Sequence, residues 1–149
     1  MREIKFRAWE PIGKKMYEVQ SIDFFWGLLE VQWWELNRDL ETHRNMKLNF
    51  KGEVGGTDEE LAEFIYPVIM QFIGRCDKNS NEIYEGDIIS AYNGRIKGPV
   101  IFDKRGLAFG IPNGPNEIYK FSMNFLESKD IEIIGNIYEN PELLESEPA

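Results

Sequence analysis

MQFIGRCDKNSNEIYEGDII, the stretch from Met70 to Ile89, says more about the fold than any other part of this chain. Its apolar start predicts a strand. The polar run from Asp77 to Asn81 predicts a tight turn, because Asp, Asn and Ser side chains bond their own backbone in turns. A second strand follows, entered through Glu85-Gly86-Asp87. The stretch therefore predicts two antiparallel strands joined by a polar turn.

Short strands are also predicted on both sides of this stretch. Asn93-Gly94 is the strongest short hairpin signal, and Asp103 to Gly106 predicts a second tight turn. Strands separated by turn signals every eight to twelve residues are typical of a barrel or sandwich. The predicted strands lie near residues 4–9, 16–22, 28–34, 46–50, 68–73, 82–84, 88–92, 95–97, 100–102, 107–111 and 131–138.

One short helix is predicted, from Thr57 to Tyr66. Thr57 and Glu60 form a capping box, and Pro67 ends the helix. A single helical turn is also expected near residues 121–126. The glycines between residues 52 and 56 predict a flexible joint, which divides the chain into an N-terminal β lobe (1–56) and a C-terminal domain (57–149) with the short helix. The two parts are expected either to form separate lobes or to pack as one unit.

Three blocks of sequence resemble the YopX family. The central block is Met70 to Ile88; the first, Met1 to Trp9, is similar to the opening of that family, and Ile131 to Leu144 is similar to its close. The resemblance implies a phage or prophage origin and a C-terminal half like an SH3-type small β-barrel. It implies no catalytic residues, because the family has no established activity.

The central turn departs from the family at one position, where Ser80 stands in place of the usual Gly. Asn79 and Asn81 flank it, and Asn tolerates the left-handed backbone conformation better than most residues. We therefore expect Asn79 or Asn81 to adopt that conformation in place of the glycine.

Composition indicates an ordered globular protein. The 149 residues are 42% hydrophobic and 13% aromatic, enough to build a core and too apolar for a disordered chain. Cys76 is the single cysteine, so an intrachain disulfide is impossible. Together with the lack of a long apolar run or signal peptide, this predicts a protein of the bacterial cytoplasm that does not enter a membrane.

The net charge of −9 is unevenly distributed. Residues 1–56 contain nine Lys and Arg against nine Asp and Glu, whereas residues 57–149 contain eight against seventeen. An acidic chain repels phosphate backbones at long range, which disfavours binding of nucleic acid. Solubility is the simpler role for this charge.

Two groups of oxygen-bearing side chains invite a catalytic or metal-binding interpretation. Glu85 and Asp87 would share one face of a strand, but Asp87 could equally bond nearby backbone N–H groups. Asp77, Asn79 and Asn81 match the first half of an EF-hand loop. The second half is missing, because the position of the bidentate Glu holds an isoleucine. We interpret both groups as turn chemistry.

No other pattern predicts an enzyme. Cys76 and His43 are single residues of their types, and a Cys–His nucleophile also needs a third, orienting group. The glycines at 52, 55 and 56 lack the Lys-Ser/Thr of a phosphate loop. We therefore expect no catalytic residues, no metal and no cofactor.

One local basic excess predicts an alternative role in binding single-stranded nucleic acid. Five Lys and Arg lie between residues 92 and 120 against two acids, and aromatic residues are interleaved with them. Alternatively, Phe102 and Phe109 point into the core while the charges solvate hairpin tips. The residues of this predicted face are Tyr92, Arg95, Lys97, Lys104 and Arg105.

A cluster of aromatics predicts the leading role, docking on a protein. Because neighbours on a strand face opposite sides, Trp33 and Trp34 cannot both enter one core. Either a second internal layer covers one of them, or it contacts a partner, and tryptophan is enriched at binding hot spots. Trp26, Trp33 and Trp34 are thus the predicted interface of a non-catalytic module that binds a host protein, a phage protein or a second copy of itself.

Overall fold

The structure, a computed structural model, describes residues 3–11, 13–23, 28–33, 44–49, 67–115, 117–121 and 130–145. These residues are mainly β, as predicted, and their strands pair in antiparallel sheets with a single 3₁₀ turn (Pro141–Leu144) as helix. The strands are β1 (Phe6–Glu10), β2 (Lys15–Asp23), β3 (Leu28–Trp33), β4 (Arg44–Asn49), β5 (Val68–Cys76), β6 (Glu82–Tyr84), β7 (Asp87–Ala91), β8 (Ile96–Pro99), β9 (Ile101–Asp103), β10 (Ala108–Pro112), β11 (Ile118–Lys120) and β12 (Glu132–Asn136).

The chain divides into two compact units, residues 5–70 and residues 71–149 with 1–4. The predicted domain boundary after residue 56, the glycine joint and the helix at 57–66 lie outside the described residues. The same holds for the helical turn predicted near 121–126, of which Phe121 alone is described. These features stay predictions.

The N-terminal unit contains an antiparallel meander in the order β4-β3-β2-β1. The turn between β1 and β2 is closed by Glu10, whose Oε2 accepts the N–H of Gly13 at 2.6 Å. Glu10 is buried beside Tyr17, and burial, together with the charge of Glu10, raises the pKa of the Tyr17 phenol. β1 is buried at Ala8, Trp9 and Glu10 alike, so both faces of this strand are covered.

The C-terminal unit is built around one apolar core from two three-stranded sheets, β12-β7-β8 and β11-β10-β9. Its hairpins confirm the predicted turns: Asn93 (φ 57°) and Gly94 (φ 81°) have the paired positive φ values of a type I′ turn. The buried core residues come from both sheets, from β6 and from residues next to β9 and β12; they are Ile83, Ile89, Ala91, Val100, Ile111 and Ile131.

The expected conformation of the central turn is wrong in one respect, and the expected barrel is not confirmed. In the central turn Ser80 itself takes the left-handed conformation (φ 67°), whereas neither Asn79 nor Asn81 does. The left-handed conformation of this turn is therefore adopted by the residue that replaces the family's usual glycine. The described strands form open sheets rather than a closed ring, so an SH3-type barrel is not confirmed. Within the described residues, no helix has the length and apolar character needed to cross a bilayer.

Candidate functional sites

The central turn is organised around the carboxylate of Asp77, which is 8% exposed. Its Oδ1 accepts the backbone N–H groups of Asn79 and Asn81, both at 2.9 Å. Its Oδ2 accepts the N–H of Ile133 at 3.2 Å and the side-chain amide of Asn81 at 3.3 Å. One side chain thus closes its own turn and ties it to β12.

The electrostatics of Asp77 follow from these contacts. Burial by itself would raise the pKa of the carboxyl, but the backbone N–H groups of Asn81, Ile133 and Asn79 and the Asn81 amide lower it below the ordinary value. Donors aimed at the charged form favour ionisation. Asp77 is therefore a charged structural anchor whose oxygens are already occupied by protein donors.

Glu85 and Asp87, the predicted carboxylate pair, also bond to backbone. Asp87 is 2% exposed, and its Oδ2 accepts the N–H of Tyr84 at 2.7 Å. Glu85 Oε2 accepts the N–H of Gln71 on β5 at 2.9 Å. Gly86 between them has φ 80°, which few other residues tolerate. The two carboxylates therefore stabilise the turn that leads into β7, in agreement with the turn interpretation.

The backbone around Gly86 joins distant parts of the C-terminal unit. The N–H of Gly86 donates to the carbonyl of Val100 at 2.8 Å, and the carbonyl of Gly86 accepts the N–H of Ile137 at 2.9 Å. The N–H of Val100 in turn donates to the carbonyl of Asp87 at 2.8 Å. The central block of the family resemblance (Met70 to Ile88) and its closing block (Ile131 to Leu144) are therefore hydrogen-bonded to each other here.

The closing block, Ile131 to Leu144, is stabilised by Asn136, Asn140 and Gly135. Asn136 Oδ1 accepts the N–H groups of Tyr138 (3.0 Å) and Glu139 (2.9 Å), and its side-chain amide donates to the Glu139 carboxylate. A Cβ on Gly135 would lie 2.6 Å from Asn140 Oδ1, closer than Cβ atoms approach oxygen. A glycine is needed here because the segment folds back on β12.

The remaining candidates for chemistry do not form a site within the described residues. Cys76 is exposed at the end of β5, and His43 lies outside those residues. No group of three or more His, Cys, Asp and Glu side chains that could hold a metal ion is found among them. The EF-hand-like oxygens of Asp77 are engaged with the N–H groups described above.

The predicted basic face is exposed, and its residues lie on two turns and on the start of β8. Arg95 and Lys97 are on the β7–β8 hairpin, and Lys104 and Arg105 are on the β9–β10 turn. Tyr92 is 38% exposed. Asp103, one of the two acids in this stretch, is buried, and its oxygens accept the N–H groups of Arg105 (3.0 Å) and Gly106 (2.9 Å).

The aromatic residues beside this face are only partly covered. Phe102 is 41% exposed and meets Phe109 edge to face across β9 and β10, with ring centroids 5.2 Å apart. Tyr119, a residue missed by the sequence reasoning, is 47% exposed on β11. It was missed because the sequence analysis predicted no strand between the strand at 107–111 and the helical turn near 121–126.

Of the predicted tryptophan interface, the structure describes one residue. Trp26 and Trp34 lie outside the described residues. Trp33 is the last residue of β3, and its backbone is paired with Arg44 on β4. Whether these three residues form a surface stays a prediction.

Comparison with known proteins places the chain in a family. The family model described as YopX protein matches residues 5–145. Protein EF1440 from Enterococcus faecalis, known from a crystal structure, is 27% identical, with 97% of this chain and 100% of that chain covered and a TM-score of 0.51.

A second solved structure, protein yopX from Bacillus subtilis, is similar in fold. It is 18% identical, covers 97% of this chain and 100% of its own length, and has a TM-score of 0.51. No curated protein matches the chain. Since the family model spans nearly the whole sequence, the chain belongs to the YopX family.

Proposed function

We propose that this protein is a non-catalytic interaction module of phage or prophage origin that works in the cytoplasm of a bacterium. It docks on a host protein, a phage protein or a second copy of itself. Trp26, Trp33 and Trp34 supply the contact, because tryptophan is enriched at the centres of interfaces.

The non-catalytic role is supported above all by the buried carboxylates, which accept backbone hydrogen bonds. Asp77, Asp87 and Asp103 are each buried, and each accepts a backbone N–H from its own turn. A general acid or base needs an oxygen within reach of a substrate proton. Carboxylates saturated by backbone donors serve architecture instead.

We further propose that the C-terminal unit is a small barrel of the SH3 type. Its two three-stranded sheets contribute to one core cluster. β8 of one sheet lies directly against β10 of the other, since a Cβ on Gly98 would lie 2.5 Å from Ile111 Cγ2.

A tagged pull-down from host lysate, with and without nuclease, tests the docking role together with the mass of the protein in solution. We expect the Trp33→Ala/Trp34→Ala variant to fold, to lose the partner recovered by the wild type and, if the partner is a second copy, to fall to the monomer mass. Leu107→Ala, at a residue 77% exposed, is the matched control and should behave like the wild type. A folded double variant that keeps the same mass and the same partners contradicts the proposal.

A further inference from the structure

The aromatic side chains of the β9-β10-β11 sheet form a row at the margin of the core. Phe102 and Phe109 face each other in the register of β9 and β10. Tyr119 pairs with Ile111, two residues after Phe109, so all four side chains share one face of the sheet. Ile111 is buried in the core, whereas Phe102 and Tyr119 are 41% and 47% exposed.

The exposed charge beside this row is positive. Lys104 and Arg105 are exposed on the turn that follows Phe102, and the nearby Asp103 is buried with its carboxylate facing the N–H groups of that turn. The one exposed acid between residues 92 and 115 or 117 and 121 is Glu117. It lies beyond the opposite end of β10, where its carboxylate accepts the amide of Asn113 at 3.2 Å.

The packing of the neighbouring sheet leaves the turn as the source of this charge. The contact between Gly98 and Ile111 brings β8 against β10, and because side chains alternate along a strand, the exposed Lys97 faces away from that contact. Lys104 and Arg105 are therefore the cations beside the row, and a polyanion is the ligand whose charge complements them.

We propose that this surface binds single-stranded nucleic acid, with bases stacked on Phe102 and Tyr119 and phosphates bound by Lys104 and Arg105. Single strands present unpaired bases, which stack on exposed aromatic rings irrespective of sequence, together with a phosphate backbone. Salt screens charges that are more than about 8 Å apart at physiological ionic strength, so the long-range repulsion from the net charge of −9 is weak under those conditions.

The test is the fluorescence anisotropy of a labelled oligothymidylate of about 20 nucleotides, a length that covers more than one small-barrel site, titrated with full-length protein at several salt concentrations. We expect binding that weakens as salt rises. Lys104→Gln/Arg105→Gln should lower the slope of log K against log salt by about 1.4, that is about 0.7 for each cation. Phe102→Ala and Tyr119→Ala should each weaken binding by about 10-fold.

Matched controls separate this surface from general effects. Leu144→Ala removes an apolar side chain of similar exposure (42%) from the 3₁₀ turn, and Arg75→Gln/Lys78→Gln removes the same charge near the central turn. Both should bind as the wild type does. Should Phe102→Ala unfold the protein, Phe102→Leu and Tyr119→Leu remove the ring and keep an apolar side chain, and they should still weaken binding.

Three outcomes overturn the proposal: no binding at low salt, equal loss in the control variants, or unchanged affinity in folded ring-deletion variants. Oligoglutamate that binds as tightly and depends equally on Phe102 would reassign the surface to acidic peptides. The Trp33→Ala/Trp34→Ala variant should retain oligonucleotide binding, so failure of the docking role and failure of this site give different results.

Discussion

Two turns of the C-terminal unit contain the same local hydrogen-bonding arrangement but differ in their other contacts. In each, an aspartate at the end of a strand accepts two backbone N–H groups of the turn that follows it: Asp77 from Asn79 and Asn81, Asp103 from Arg105 and Gly106. Asp77 also accepts the N–H of Ile133, which lies 56 residues away. The bonds of the Asp103 turn are local.

This difference shows that the hydrogen bonds within a turn do not by themselves reveal the role of that turn in the protein. The Asp77 turn is bonded to β12, and both oxygens of Asp77 accept hydrogen bonds from the protein itself. The Asp103 turn stabilises itself and leaves Lys104 and Arg105 exposed beside a row of aromatic rings. The first turn is part of the framework, and the second exposes the two cations that we propose bind a ligand.

Removal of the two carboxylates should have unequal effects on stability. Asp77→Ala leaves the N–H of Ile133 and two turn N–H groups without their acceptor, so we expect a loss of about 3 kcal/mol in the free energy of unfolding. Asp103→Ala breaks only bonds within an exposed turn and should cost about 1 kcal/mol. Urea denaturation of the two variants and the wild type measures both values.

The matched control is Asp77→Asn, which keeps one acceptor oxygen and should cost less than Asp77→Ala. Equal losses for Asp77→Ala and Asp103→Ala would show that the bond to β12 contributes nothing, and the two turns would then be equivalent.

The pH dependence of stability should report Asp77 specifically. Its pKa is lowered in the folded protein by the N–H donors around it, although burial opposes this. The stabilisation is therefore present above the unfolded pKa of about 3.9 and is lost as pH falls through the folded pKa. The difference in unfolding free energy between wild type and Asp77→Asn should be constant from about pH 5 to pH 7 and shrink below about pH 4. A difference that grows in acid would contradict the role given to this carboxylate.

The smallest expected effect concerns backbone strain, which both turns contain. Ser80 has φ 67° and Leu107 has φ 50°, values that cost a residue with a side chain about 1 kcal/mol or more. Ser80→Gly and Leu107→Gly should each stabilise the protein by about 0.5 kcal/mol, because relief of strain exceeds the greater freedom of glycine in the unfolded chain. Ser80→Ala keeps the strain and should give no gain in thermal denaturation.

The sequence predicted most of the strands and the role of Glu85-Gly86-Asp87, because alternation and turn residues are local signals. It did not predict the left-handed Ser80, since that conformation is imposed by a turn tied to β12 rather than by Ser itself. Tyr119 was missed because its short strand follows the Pro112 to Pro115 segment, which contains two prolines and a glycine and was interpreted as a loop. The exposure of Phe102 depends on how far the core extends, which only the paired sheets reveal.

Native-state hydrogen exchange, followed amide by amide by NMR, compares the two turns most directly. If the Asp77 turn is framework, the amides of Asn79, Asn81 and Ile133 should exchange only through global unfolding, with protection that falls in Asp77→Asn. The amides of Arg105 and Gly106 should exchange through local opening and be much less protected. Equal protection at the two turns, or fast exchange at Ile133, would contradict the division into a framework turn and a turn available to a ligand.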